Sequence, residues 1–177
     1  MDERILLIGM MGSGKSTVAG ILGRRLPALV VDTDEEVVAA TGRTVAETFS
    51  ELGEAEFRRL ESVVVAGLSR RLPGSVVAVA GGAVLDPDNR ARLKAAGRVV
   101  WLRALPETLA LRVGASADRP LLAGSPDDRR LALSEIAASR AAIYAEVADV
   151  IVDVDGLSAE QVADAVVAAL AGGRAAG

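Results

Sequence analysis

Residues 9–16 read G-M-M-G-S-G-K-S, set directly between the apolar run Ile5–Ile8 and a helical pattern that continues to about Leu26. The pattern G-x-x-x-x-G-K-[ST] asks for a strand, a tight glycine turn and a helix start in immediate succession. Glycines let the backbone curl so that successive N–H groups converge on an anion, and the following helix adds the partial positive charge of its first turn. Lys15 supplies a point charge for the β- and γ-phosphates, and the Ser16 hydroxyl can join a magnesium shell. The alternative is a glycine-rich structural turn with a solvated lysine. It is weakened because Lys94 is the only other lysine in the chain.

The rest of the chain alternates short apolar runs with longer amphipathic stretches. Leu29–Val31 reads as a second strand ending at Asp32 and Asp34. Helical pattern resumes from Glu35, breaks at Gly42 and restarts at Thr44, where Thr44 and Glu47 form a capping box. A longer helix covers about Glu54 to Leu72 and is stopped by Pro73-Gly74. Val76–Ala80 and Val99–Leu102 are further strands, with a helix from Asp86-Pro87 to near Gly97 between them, and Pro106 sits in the first turn of the next helix. The stretch 114–128, G-A-S-A-D-R-P-L-L-A-G-S-P-D-D, loses periodicity and has the length of a functional loop. A helix over Arg129–Glu146, a strand at Val150–Val152 and a helix from Ser158 to about Leu170 follow, and a frayed tail is expected over about 171–177. Wholly apolar strands separated by helices predict one α/β domain, a five-stranded parallel sheet covered on both faces.

At 177 residues, 51% hydrophobic and 25% charged, the chain suits one such domain. It has neither cysteine nor histidine, which excludes disulfide frameworks, thiolate zinc sites and imidazole bases. Acid–base chemistry must therefore use carboxylates, lysine, tyrosine or water. A net charge of −4 argues against a general nucleic-acid binder. No apolar run reaches the roughly 18–20 residues of a membrane span, and the acidic start M-D-E-R does not read as a signal peptide.

Asp32 and Asp34 close the second strand in V-V-D-T-D. On an extended chain, alternation puts both carboxylates on one side, at the strand end where ligands of open α/β sheets gather. One acid can hold the magnesium shell while the other accepts a hydrogen bond from an attacking hydroxyl. The competing reading is a polar turn with Asp34 as a helix N-cap.

Further motifs appear in order after the glycine loop: D-T-D at 32–34, F-R-R-L-E at 57–61, A-G-G-A-V at 80–84, D-R-P-L-L from Asp118, and R-A-A-I-Y at 140–144. Together with G-S-G-K-S-T at 12–17 they make the chain resemble shikimate kinase from about Ile5 to Tyr144. The resemblance implies a P-loop fold like that of nucleoside monophosphate kinases, with a mobile lid over about 114–128. It implies transfer of the γ-phosphoryl group of ATP to the 3-hydroxyl of shikimate, with Mg2+, in aromatic amino acid biosynthesis. Gly12, Ser13, Gly14, Lys15, Ser16 and Thr17 would bind ATP, Ser16 and Asp32 the metal, and Asp34 the acceptor hydroxyl, as its base. Arg58 and Arg140 would grip the shikimate carboxylate, Gly81 and Gly82 would let the backbone approach the ring, and Arg119 would close over the phosphates. A cytoplasmic monomer acting on these small molecules is expected, with neither nucleic acid nor membrane as partner.

The residue chemistry agrees. Planar guanidinium groups pair with both oxygens of a carboxylate. Glu61, one turn beyond Arg58, can orient it, although alone this pair reads as an ordinary surface i,i+3 contact of roughly 0.2–0.5 kcal/mol. Arg59 is expected to be solvated. Arg140 and Tyr144 share a helical face, either as simple packing or as part of a substrate wall, and Phe49 and Phe57 fit core and pocket equally well. Three departures stand out. Ala80 occupies the first of three positions commonly glycine, Val154 lacks the hydroxyl usual in the adenine-side loop, and past Arg140 the one remaining arginine, Arg174, leaves no partner for the base. A gluconate kinase shares the loop and sheet, but does not explain two arginines flanking the D-x-D and G-G pocket. A non-catalytic nucleotide-binding module would be free to lose one of Lys15, Ser16, Asp32, Asp34 or Arg119, and an N-K-x-D guanine signature is absent.

Overall fold

The computed structural model describes residues 3–68, 73–113 and 125–172. The apolar runs become β1 (Ile5–Ile8), β2 (Val30–Asp32), β3 (Val76–Ala78), β4 (Arg98–Arg103) and β5 (Val150–Asp153). They form one parallel sheet in the order β2-β3-β1-β4-β5. Successive side chains of a strand leave opposite faces, so each strand feeds two cores. Leu6, Ile8, Val77, Val99 and Trp101 join one core, with α3 (Val45–Gly67), α4 (Pro87–Ala96), α5 (Pro106–Val113) and α6 (Pro126–Val147) above it. Ile5, Leu7, Val76, Ala78, Val100 and Leu102 join the other, with α1 (Lys15–Arg25) and α7 (Ala159–Gly172).

This arrangement decides where a ligand can sit. β1 and β3 are neighbours, yet β1 hands the chain to the α1 face and β3 hands it to the α4 face. Adjacent strands whose exits diverge leave a crevice at their carboxyl ends. The glycine loop closes one side of that crevice and Ala80-Gly81-Gly82 the other. The remaining helix, α2 (Thr33–Thr41), starts from the end of β2 beside them.

Several element limits differ from the sequence reading. β2 is shifted by one residue, and α2 begins at Thr33 rather than Glu35 because the Asp32 side chain, not Asp34, accepts the Asp34 amide as N-cap. Asp34 therefore lies in a first helical turn and not on extended chain, so strand alternation is not what orients it. The capping box of Thr44 and Glu47 is present. α3 then runs through the two segments expected separately, joined at Gly53 (φ 80°, ψ 164°). A short 3-10 turn at Ala83–Leu85 was not foreseen. α6 begins at Pro126, capped reciprocally by Ser125 and Asp128, which moves 126–128 out of the expected lid and into a helix. α7 extends through Gly172, so 171–172 are helical rather than frayed. The remainder of the expected lid and tail, 114–124 and 173–177, lies outside the described residues. Among the described residues no helix is long and apolar enough to cross a membrane.

One buried bond links the start of α2 to the strand end beside it. The Ala80 amide donates to Thr33 Oγ1 at 2.8 Å, and both residues are buried. Thr33→Val keeps the shape but leaves a buried donor without its acceptor, and is expected to lower unfolding free energy by about 1–3 kcal/mol. Urea unfolding of the two proteins measures this; a difference within error would show that water reaches the amide.

Candidate active site

The turn between β1 and α1 is held open for an anion by its own backbone. Gly12 has φ 80°, and a Cβ there would lie 2.8 Å from Val113 and 3.2 Å from the Leu109 carbonyl, so a side chain would be strained and would collide with α5. α1 has no side-chain cap and no acidic residue in its first turn. Its opening amides and dipole therefore face the crevice with no negative charge from the helix's own first turn. Lys15 Nζ donates to the carbonyls of Gly9 (2.9 Å) and Met10 (3.0 Å), which arches the lysine over the loop.

Beside the loop, the carboxylate of Asp32 is shared. Oδ1 accepts the Asp34 amide at 3.0 Å, and Oδ2 accepts the Ser16 hydroxyl at 2.6 Å. Two hard oxygen donors this close suit Mg2+, which commonly takes one or two protein oxygens and completes its shell with water and phosphate. Among the described residues no group of three or more Asp, Glu, His or Cys forms an all-protein cage. The donor set thus fits a metal that arrives with a nucleotide.

These groups open onto one cavity of about 790 Å³, whose wall includes Gly12, Gly14, Lys15, Ser16, Thr17, Asp32, Asp34, Arg58, Glu61, Gly81, Gly82 and Arg140. Ser13 is not on that wall; its side chain is buried and its amide donates to the Met10 carbonyl at 3.2 Å. At the far end, Arg58 Nη1 meets Glu61 Oε2 at 2.5 Å and Nη2 meets Glu54 at 3.2 Å. The guanidinium lies over the rings of Phe49 and Phe57, 5.7 and 5.5 Å from their centroids, and the rings pack at 4.4 Å. Both phenylalanines line the cavity. A Cβ on Gly82 would fall 2.0 Å from Arg58 Nη1, so a side chain there would displace the guanidinium from its present place. Arg140 Nη1 (3.3 Å) and the Tyr144 hydroxyl (2.7 Å) both donate to the Gly81 carbonyl. Arg59 instead pairs with Glu56 at the surface.

Electrostatics at this end follow from burial. Glu61 is almost fully enclosed, with 3% of its side chain exposed, which separates it from an ordinary helix-surface pair. Burial raises its carboxyl above the usual glutamate range, the Arg58 charge and hydrogen bond pull it part of the way back, and Asp34 raises it again. Burial lowers the Arg58 guanidinium, and the two glutamates more than reverse that shift, so it is held firmly charged.

The comparisons with known proteins agree with this geometry. The family model described as shikimate kinase matches residues 11–171. A shikimate kinase of Streptomyces avermitilis is 42% identical over 167 residues, covering 94% of this chain and 95% of that protein. The chain belongs to the shikimate kinase family. Another shikimate kinase, from Streptomyces coelicolor, is 44% identical over 161 residues, 91% of each chain. The solved shikimate kinase from Acinetobacter baumannii in complex with shikimate superposes with a TM-score of 0.92 at 31% identity, covering 98% of this chain and 95% of that one. A deoxyadenosine kinase from M. mycoides with bound dCTP, at 14% identity and a TM-score of 0.60, shares the fold. The chain is thus an ATP-dependent kinase of the shikimate kinase family.

Of the residues given a binding or catalytic role from the sequence, the structure brings all but Ser13 to the cavity wall, and Arg119 lies outside the described residues. Sequence reasoning missed Arg112. No arginine past Arg140 was available for the base, but α5 brings Arg112 to the wall from before it, with Nη2 donating to the Val154 carbonyl at 3.1 Å. In sequence this residue is one more charge in an amphipathic helix, and only the packing of α5 beside the Val154 loop singles it out.

The raised Glu61 carboxyl has a consequence for stability. The native protein keeps this proton at pH values where the unfolded chain has lost it. Glu61 therefore favours the fold most in acid, and that contribution falls as pH climbs from the ordinary glutamate value through the raised one. Relative to Glu61→Gln, the wild type is expected to lose unfolding free energy as pH rises above the ordinary glutamate range of about 4. Parallel stability curves for the two proteins would show that the group titrates normally.

Proposed function

We propose that this chain transfers the γ-phosphoryl group of ATP to the 3-hydroxyl of shikimate, as a monomeric cytoplasmic enzyme of aromatic amino acid biosynthesis. The observation that carries the reading is the joint placement of two arginines, Arg58 and Arg140, on the wall of the same cavity as a phosphate loop and two aspartates. A bare nucleotide site has no use for a cationic fork at its distal end. An acceptor with one carboxylate and several hydroxyls has use for both ends.

Each residue then has a task. The loop amides and Lys15 hold the triphosphate, and Ser16 and Asp32 would hold Mg2+, which when bound neutralises charge on the β- and γ-phosphates. Arg58, steadied by Glu61 and Glu54, and Arg140, steadied by the Gly81 carbonyl, fix the acceptor carboxylate. The acceptor hydroxyl is thereby turned toward Asp34, which accepts its proton as oxygen attacks phosphorus. Arg119 closes over the phosphates and helps to exclude water. Arg112 offers a planar cation to the base where Val154 offers no hydroxyl. That one chain carries every group named here supports a monomer, and a chain without cysteine suits the reducing cytoplasm.

With ATP and Mg2+, ADP release is expected to depend on added shikimate across a panel of hydroxylated acids. Turnover driven by gluconate or a nucleoside monophosphate, with shikimate inert, would overturn the acceptor assignment. Arg58→Ala and Arg140→Ala are each expected to raise the shikimate KM by about ten- to a hundredfold, the worth of a charge-assisted hydrogen bond. Asp34→Asn is expected to lower kcat by about 10²–10⁴ with the ATP KM little changed.

A further inference from the structure

Tyr144 is the chain's one tyrosine, and it is buried in the core above β1 and β4. A phenylalanine would fill the same hydrophobic space, so the hydroxyl calls for a reason of its own. It donates to the Gly81 carbonyl at 2.7 Å, the soft Met10 sulfur lies at 3.8 Å, and the Arg140 guanidinium that shares the carbonyl is also within reach of the hydroxyl. Burial pushes the phenol up to about 12, which keeps the hydroxyl protonated, and so a donor, at any working pH.

The accepting carbonyl belongs to the Gly81–Gly82 peptide, which is trans. A trans peptide sends its N–H from the edge opposite its C=O. With the carbonyl fixed toward α6, the Gly82 amide is turned away from α6, and Gly82 lies on the cavity wall. Among the described residues neither the Gly81 nor the Gly82 amide donates to another protein group. The same carbonyl also receives Arg140 Nη1 at 3.3 Å, so its direction sets where that guanidinium stands. Glycines on both sides of the peptide would otherwise leave it easily rotated.

We propose that Tyr144 is a positioning residue for the acceptor: its hydroxyl fixes the Gly81 carbonyl, and thereby presents both the Gly82 amide and the Arg140 guanidinium to an acceptor oxygen. The inference rests on the acceptor being the hydroxylated acid assigned above. Tyr144 touches neither substrate, and its effect is confined to the acceptor side of the cavity.

Tyr144→Phe removes the hydroxyl and keeps the ring. The expected result is a rise of about three- to tenfold in the shikimate KM, with kcat and the ATP KM within about twofold. Trp101→Phe serves as the packing control, because Trp101 stacks on the Tyr144 ring at 5.5 Å without touching the hydroxyl. It is expected to lower Tm while leaving the shikimate KM within about twofold. A Tyr144→Phe enzyme with an unchanged shikimate KM overturns the proposal, as do two variants whose KM rises in step with lost Tm. Should the phenylalanine variant fail to fold, wild-type protein still decides the matter by NMR. The Gly82 amide resonance is expected to shift on adding shikimate, and an unmoved resonance overturns the proposal. Wild-type enzyme that turns over no shikimate in the same assay overturns the acceptor assignment itself, a result distinct from a silent Tyr144→Phe.

Discussion

The Asp32 carboxylate sets the spacing between the two halves of the site. One oxygen starts α2 and the other holds the first turn of α1 through Ser16, so the helix that carries the phosphate loop and the helix that carries Asp34 are referenced to the same group. The next residue, Thr33, is bonded to the Ala80 amide and so ties in the strand end that leads to Gly81 and Gly82. Two consecutive side chains therefore join β2 to both banks of the crevice. The divergence of the chain after β1 and β3 opens a gap there; Asp32 and Thr33 fix its width.

The far end of the cavity solves a different problem, that of keeping cations available in a partly apolar place. Arg58 stands on two phenylalanine rings, where the ring faces favour a positive charge, and two glutamates hold it from the helix side. Glu61 bears the cost of this arrangement, being buried so deeply that its own ionisation is opposed. A carboxylate ligand that met Arg58 would enter a field already partly balanced by acids, which favours recognition by geometry over indiscriminate attraction of anions.

Much of this was legible in the sequence, and the reasons differ by element. The phosphate loop was readable because its function resides in backbone geometry that only a few residue types permit, and the central strands because burial on both faces leaves continuous apolar runs. The capping box at Thr44 and the helix start at Ser158 are local and were correctly placed. Asp32 and Asp34 were assigned to the cavity for a partly wrong reason: a side-chain cap ended the strand early, so helical geometry rather than strand alternation presents Asp34. Arg112 was invisible because its neighbourhood is built by α5 meeting the Val154 loop, some forty residues apart in sequence. Whether Glu61 was surface or core likewise depended on how α3 packs, which an i,i+3 spacing does not encode.

The stacking of Trp101 on Tyr144 has a practical corollary. These are the only indole and the only phenol in the chain, and they sit 5.5 Å apart, one hydrogen bond behind the glycine peptide that borders the cavity. Indole and phenol absorption and emission therefore originate from a single spot. The protein carries its own optical gauge, needing no dye or added label, and the gauge is fixed to the wall whose orientation matters most.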